Sequence, residues 1–352
     1  EGRLEYGAGK PSVISCRRMR LRRLFALLLL VSDTIACATC GAPTTARSAG
    51  GAASPGLFPG AGTPVALPGD VPFVSLEGPL WMAASGSLFF SDVVEANASG
   101  ARIYSFDPAS RHFSTVPYPS TAPTSTNGLA VDPAGRLIAC ERYNARVVRV
   151  GPGAGAKLTV LADRWPPGPS GQPLNAPNDL VVRKDGNLYF TDSDWGARPG
   201  PGHAAMGVYR VSPAGELSRV LDLEKPNGIA LSPDGATLYV GSDTQAKVWK
   251  LPVDAAGAVG APALLIDGPT VAGGFKVPDG ICVDDAGDLY VANSDDAVKA
   301  IVVFDPAGHQ LGRIPFPYRP SNCSFGGVDR RTLYVTTLHA VYALPVPTPG
   351  LP

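Results

Sequence analysis

Pro278-Asp279-Gly280-Ile281-Cys282-Val283-Asp284-Asp285-Ala286-Gly287-Asp288-Leu289-Tyr290-Val291-Ala292-Asn293-Ser294 is the phrase that decides the fold. An acidic residue and a glycine open it. A short apolar run follows, then an Ala-Gly turn, then a second run of β-formers, Leu289, Tyr290 and Val291. Five relatives of this phrase occur in the chain: EGPLWMAASGSLFFSDV from Glu77, TNGLAVDPAGRLIACER around Asn127, PNDLVVRKDGNLYFTDS around Asn178, PNGIALSPDGATLYVGSD around Asn227, and SNCSFGGVDRRTLYVTT around Asn322. From Glu77 onward the steps between copies are 50, 51, 49, 52 and 43 residues.

A repeat of this period signals a solenoid, a propeller or an array. Each copy reads as two strands joined by a tight turn with Gly, Asp or Asn at its tip. The about 25–30 residues left between copies suffice for two further strands, and four strands make one propeller blade. Helical repeats are opposed by 41 glycines and 36 prolines and by the scarcity of apolar stripes at a 3.6-residue period. The expected fold is therefore all-β, a six-bladed β-propeller with four antiparallel strands per blade.

One position keeps its chemistry in all six copies: Glu77, Asn127, Asn178, Asn227, Asp279 and Asn322. In a propeller, equivalent positions on the inner strands face one another around the central channel. Two carboxylates and four amides, without His or Cys, form a hard oxygen site that suits calcium. A turn-capping role accounts for any single Asn or Asp before Gly. It does not account for Glu in the first copy and Asp in the fifth.

The rest of the chain is read around this body. Residues 1–18 precede the first Met, show no periodicity and are set outside the fold. Met19 opens a signal-like segment with Arg20, Arg22 and Arg23 ahead of the apolar run 24–31, which is too short to span a bilayer. Thr34-Ile35-Ala36-Cys37 then resembles a bacterial lipoprotein cleavage box, which gives the expectation of an exported protein, either held at the cell envelope by a lipid on Cys37 or, as the alternative, periplasmic or secreted. Residues 38–70 read as a flexible Ala/Gly/Thr/Ser/Pro tether, 71–346 as the propeller and 347–352 as a loose tail. The strand at 72–76 is expected to close the ring against the last blade.

Thirty basic and thirty acidic residues cancel, and no basic stripe points to nucleic acid. Cys140, Cys282 and Cys323 fall inside strand phrases. Their odd count is read as buried free thiols, with Cys282 and Cys323, on neighbouring blades, the pair in reach if a bridge forms. Two Pro/Gly-rich insertions, 162–176 and 193–206, are expected at the channel mouth, with Trp165 and above all Trp195 as ligand contacts. None of the four histidines (His112, His203, His309, His339) falls in an axial position, and no G-x-S-x-G elbow is present.

These phrases resemble the gluconolactonase / senescence marker protein (regucalcin) family of calcium-dependent six-bladed propeller hydrolases. The carriers are EGPLW at 77–81, NGLAVDPAGRL at 127–137, LNAPNDLVVRKDGNLYFTD at 174–192, KPNGIALSPDG at 225–235, PDGICVD at 278–284 and SNCSFGGVDRRTLYVTT at 321–337. The resemblance implies a metal on Glu77, Asn178, Asn227 and Asp279, with Asp279 also the general base. Asn127 and Asn322 then become substrate-pocket residues. It implies opening of a sugar lactone, with the related alternatives of ester or phosphotriester hydrolysis. A non-catalytic binding propeller is the reading from a different class. The animal members' Arg two residues before the third-blade Asn is Ala176 here, so that lactone contact does not carry over, and Asp192-Ser193 replaces the usual Asp-Pro.

Overall fold

The computed structural model describes residues 56–93, 102–120, 124–151, 156–196 and 205–351. The signal-like segment, the lipoprotein box, most of the tether and His203 lie outside the described residues.

Six four-stranded antiparallel sheets follow one another along the chain. Their innermost strands are Leu76–Met82, Thr126–Val131, Pro177–Val182, Pro226–Leu231, Pro278–Val283 and Pro320–Gly326. Each begins a repeat phrase, and the β-rich second half of the phrase is the next strand outward, as in Leu289–Asn293. The architecture is a six-bladed propeller.

The repeated Leu-Tyr-Val/Phe phrase works by its two-residue period. Tyr189 faces blade four while Phe190 faces blade two. Tyr239 faces blade five while Val240 faces blade three. Tyr290 faces blade six while Val291 faces blade four. The core is consequently divided into apolar clusters, one between each adjoining pair of blades, including the sixth and the first.

Ring closure differs from expectation. The fourth strand of blade six is Val65–Ala66, paired with Ala343 and Tyr342. Residues 72–76 do not pair there; Leu76 starts the inner strand of blade one. The folded body thus reaches back into the stretch read as tether. Phe58 is buried, its amide donates to the Arg313 carbonyl at 2.8 Å, and its ring meets Tyr290 edge-on at 5.6 Å. A short apolar element in a small-residue background carries no periodicity, so composition alone hid it.

The tail is also fixed rather than loose. The Leu351 amide donates to Val283 at 3.2 Å, and Asp285 and Arg330 exchange backbone bonds with Pro349 and Gly350. An Arg330–Asp285 ion pair at 2.9 Å ties blades six and five beneath this crossing. Residues 347–351 therefore run from the last blade back to the fifth at the far end of the channel.

The reading of three free thiols is corrected. Cys282 and Cys323 form a disulfide between the inner strands of blades five and six, with a Cα–Cα distance of 5.8 Å. Cys140 stays free and buried. The extra residue in an odd set sits in another interface, so parity was no guide to pairing.

Candidate functional site

In every blade the ladder between the first and second strands slips beside the repeat-phase residue. The shifts fall between Glu77 and Leu80, Thr126 and Leu129, Pro177 and Leu180, Pro226 and Ile229, Pro278 and Ile281, and Pro320 and Asn322. A bulge releases a side chain from the alternation of the strand and re-aims it. Here it turns one residue per blade toward the axis.

The residue after it must let the next blade approach. A Cβ on Gly78 would lie 2.3 Å from the Asn127 carbonyl oxygen, one on Gly128 2.8 Å from that of Asn178, one on Gly228 2.1 Å from that of Asp279, and one on Gly280 2.0 Å from the Asn322 amide carbon. Asn322 Nδ2 reaches Glu77 Oε2 at 3.4 Å and closes the circle. Glu77, Asn127, Asn178, Asn227, Asp279 and Asn322 thus follow one another around the axis, with Thr191 Oγ1 of blade three donating to the Asn227 carbonyl at 2.8 Å to join blades three and four. The glycines are explained by contact, not by turn geometry; only Gly78 of the four also has a positive φ, 52°.

The third blade breaks the glycine rule with Asp179. Asp179 Oδ2 accepts from Asn322 Nδ2 at 3.3 Å, so one amide nitrogen serves both this carboxylate and Glu77. The site therefore contains three carboxylates, not two. Burial and the Asp179 charge push the Glu77 carboxyl up to about 7, against the weaker pull of Gly78, Asn322 and Arg142. Burial raises Asp179 to about 6. Asp279 is held well above the carboxylate range by burial and by Glu77, Asp243 and Asp179, with a Ser294 hydrogen bond opposing them. Desolvation and like charge act together here, and the nearby donors do not offset them.

Sequence reasoning missed Asp179, Arg142, Asp243 and Ser294. The last three share a signal, because they are the first residues past the second strands of their blades, whose ends are Glu141, Ser242 and Asn293. They form an outer circle whose charges and hydroxyl act on the ring. Ser193 occupies the same position in blade three, where its hydroxyl donates to the Pro226 carbonyl. Trp195 follows two residues later, with the Lys225 amine 4.5 Å above its ring. Trp165 is not at the mouth. Arg164–Trp165 pairs with Gln172–Pro173, and the Trp165 ring meets Tyr209 of blade three at 5.6 Å, between blades two and three.

Among the described residues, no group of three or more His, Cys, Asp and Glu side chains is arranged to hold a metal alone. Any cation at the ring must use the amides as well. One observation fits this. Asn127 is only 2% exposed, and among the described residues its Oδ1 has no hydrogen-bond partner. A buried oxygen acceptor without a donor costs about 1–3 kcal/mol unless something positive meets it. Inward of Asp179 and Asn322 a cavity of about 570 Å³ runs down the axis past Leu80, Leu180 and Ile281 to Leu351 of the tail.

The sequence from 76 to 339 matches the family described as SMP-30/Gluconolactonase/LRE-like region. The gluconolactonase of Zymomonas mobilis is 30% identical over 294 residues, which cover 78% of this chain and 79% of that protein. The 6-deoxy-6-sulfogluconolactonase of Pseudomonas putida is 26% identical over 76% of this chain and 84% of its own length. Among solved structures, a gluconolactonase from Xanthomonas campestris superposes with a TM-score of 0.68 at 30% identity, covering 86% of this chain and 99% of that one. With its six blades, its axial ring and these relatives, this chain belongs to the SMP-30/gluconolactonase/LRE-like family.

Proposed function

We propose that this protein is a lactone hydrolase that opens a sugar lactone at the axial ring, using a divalent cation, best matched by calcium. The carrying observation is the convergence of Glu77, Asp179 and Asp279 with four ring amides in a buried site where one amide oxygen is left without a donor. Such a set is costly without a positive charge. Its all-oxygen chemistry favours a hard cation over zinc or copper.

Glu77, Asn178, Asn227 and Asp279 would hold the cation. When bound, it would polarise the lactone carbonyl and stabilise negative charge on that oxygen. Asp279 holds the attacking water and accepts its proton as the water oxygen bonds to the carbonyl carbon. The acyl–oxygen bond then breaks, and the proton passes to the leaving ring oxygen, giving the hydroxy acid. Ser294 orients the Asp279 carboxylate. Asn322 and Asn127 border the substrate pocket: Asn322 steadies Glu77 and Asp179 through its Nδ2, Asn127 turns its amide oxygen to the bound cation, and Trp195 contacts the ligand. Hydrolase activity, as opposed to mere binding, is tested by a panel of aldonolactones followed in a pH-stat. Wild-type protein should open at least one of them. Asp279→Asn, which keeps the shape and removes the base, should lower kcat about 10²–10⁴-fold. Equal rates in the variant would remove Asp279 from the chemistry.

The N-terminal segment supports export with a lipid on Cys37. Cys37→Ser should then move the protein from the membrane to the soluble fraction of cells expressing the whole chain. An unchanged distribution would dismiss the anchor.

A further inference from the structure

We propose that Asp179 is an additional group on the ring cation, beyond the four ligands named above, and that its charge sets the cation's affinity. This rests on the metal reading of the ring and assigns to that site a residue that neither repeat phase nor resemblance selected.

Three observations carry it. The position is glycine in blades one, two, four and five, and in blade six it is Cys323, tied up in the disulfide. Contact explains the glycines, since a side chain there runs into the next blade within 2.0–2.8 Å. A residue that escapes this exclusion in one blade, and is a carboxylate there, costs packing and desolvation. Asp179 is 7% exposed and, among the described residues, has no basic side chain bonded to it; its hydrogen bonds come from the Leu180 amide at 2.9 Å, from Asn322 and from the Ile229 backbone amide of blade four. Second, the Asn322 amide nitrogen lies between Asp179 Oδ2 and Glu77 Oε2, so the blade-three carboxylate reaches the ring itself. Third, Asn127 Oδ1 is buried and, among the described residues, without a donor in the same ring, which points to a positive species independently of the acidic cluster.

Asp179 differs in placement from Glu77 and Asp279. With Asn322 it lines the axial cavity. It therefore meets the ring from the channel side, and it is buried where Glu77 and Asp279 are half-buried. Three carboxylates around a divalent ion leave a net negative site, which favours tight retention and favours trivalent ions more strongly still.

The test uses the whole folded protein and two substitutions. Asp179→Asn keeps the shape, and Asp179→Gly restores the residue found in four other blades. Calcium affinity is measured by titration calorimetry on chelated protein, and terbium affinity by sensitised luminescence. Thermal melting of the metal-free forms checks folding. Both variants should bind calcium at least about tenfold more weakly, lose proportionally more terbium affinity, and melt no lower than wild type without metal. Unchanged calcium affinity in Asp179→Asn would overturn the proposal. So would a loss confined to the glycine variant, since charge would then not be the cause. If wild-type protein binds neither ion, the metal reading of the ring fails first and takes this inference with it.

Discussion

At the scale of single residues, the site is governed by unpaid charge. Glu77, Asp179 and Asp279 converge from three blades, and each is raised above its ordinary range by burial before any neighbour acts. The linkage follows from the sign of these shifts. A carboxyl whose folded value lies above its unfolded value binds more protons when folded. Its favourable contribution is complete at low pH and is lost as pH rises through the folded value. For Glu77 that window runs from 4.5 to about 7, and for Asp179 from 3.8 to about 6. Metal-free protein should therefore melt at a lower temperature at pH 7.5 than at pH 5.5. Calcium should raise the melting temperature more at pH 7.5, where protons no longer compete for the carboxylates. Calorimetric scans at both values, with and without calcium, check this; a calcium effect that is larger at pH 5.5 would contradict it.

At the scale of the strand, legibility was uneven. The six ring residues could be named from the sequence because a phrase recurring at blade spacing fixes phase without any knowledge of contacts. The bulges that aim them could not, since a ladder slip has no residue signature beyond the Gly that follows it. Asp179 was hidden by its own position. Next to Asn178 it read as part of the repeat, and only the inter-blade distances show that the position normally excludes a side chain. The outer circle of Arg142, Asp243 and Ser294 was missed because those residues differ in type, so phase alone gave no common chemistry. Trp165 was misplaced for another reason: Pro- and Gly-rich composition marks an irregular segment but not the direction in which it folds. The close approach of the inner strands makes a sharp prediction. Gly228→Ala puts a methyl 2.1 Å from the Asp279 carbonyl oxygen, and the obstacle is backbone that cannot swing away. Chemical denaturation should show a loss of about 3 kcal/mol, with weaker metal binding as Asp279 is displaced. Wild-type stability in this variant would mean that blades four and five are not in contact at the axis.

At the scale of the whole molecule, the propeller separates stability from chemistry. The apolar clusters between blades hold the ring in shape from outside, and the axis is left to polar groups that contribute little to the core. Closure uses both chain ends. Val65–Ala66 completes blade six, Phe58 anchors the segment before it, and residues 347–351 bind across blades six and five. The disulfide joins those same two blades directly behind Asp279 and Asn322. Closure by an early strand was expected because propellers usually complete one blade with strands from both termini and the chain after the last phrase is too short for a further blade. Which early residues supply it was not legible, since a two-residue strand is below what any period can show.

The central claim is that the ring opens lactones only with a cation in place. The most direct measurement is the opening of glucono-1,5-lactone by chelated protein while calcium is titrated back. The account predicts background hydrolysis after chelation and a rise to full activity that saturates with the same affinity measured by calorimetry. Full activity in chelated protein that calorimetry shows to be metal-free would contradict it.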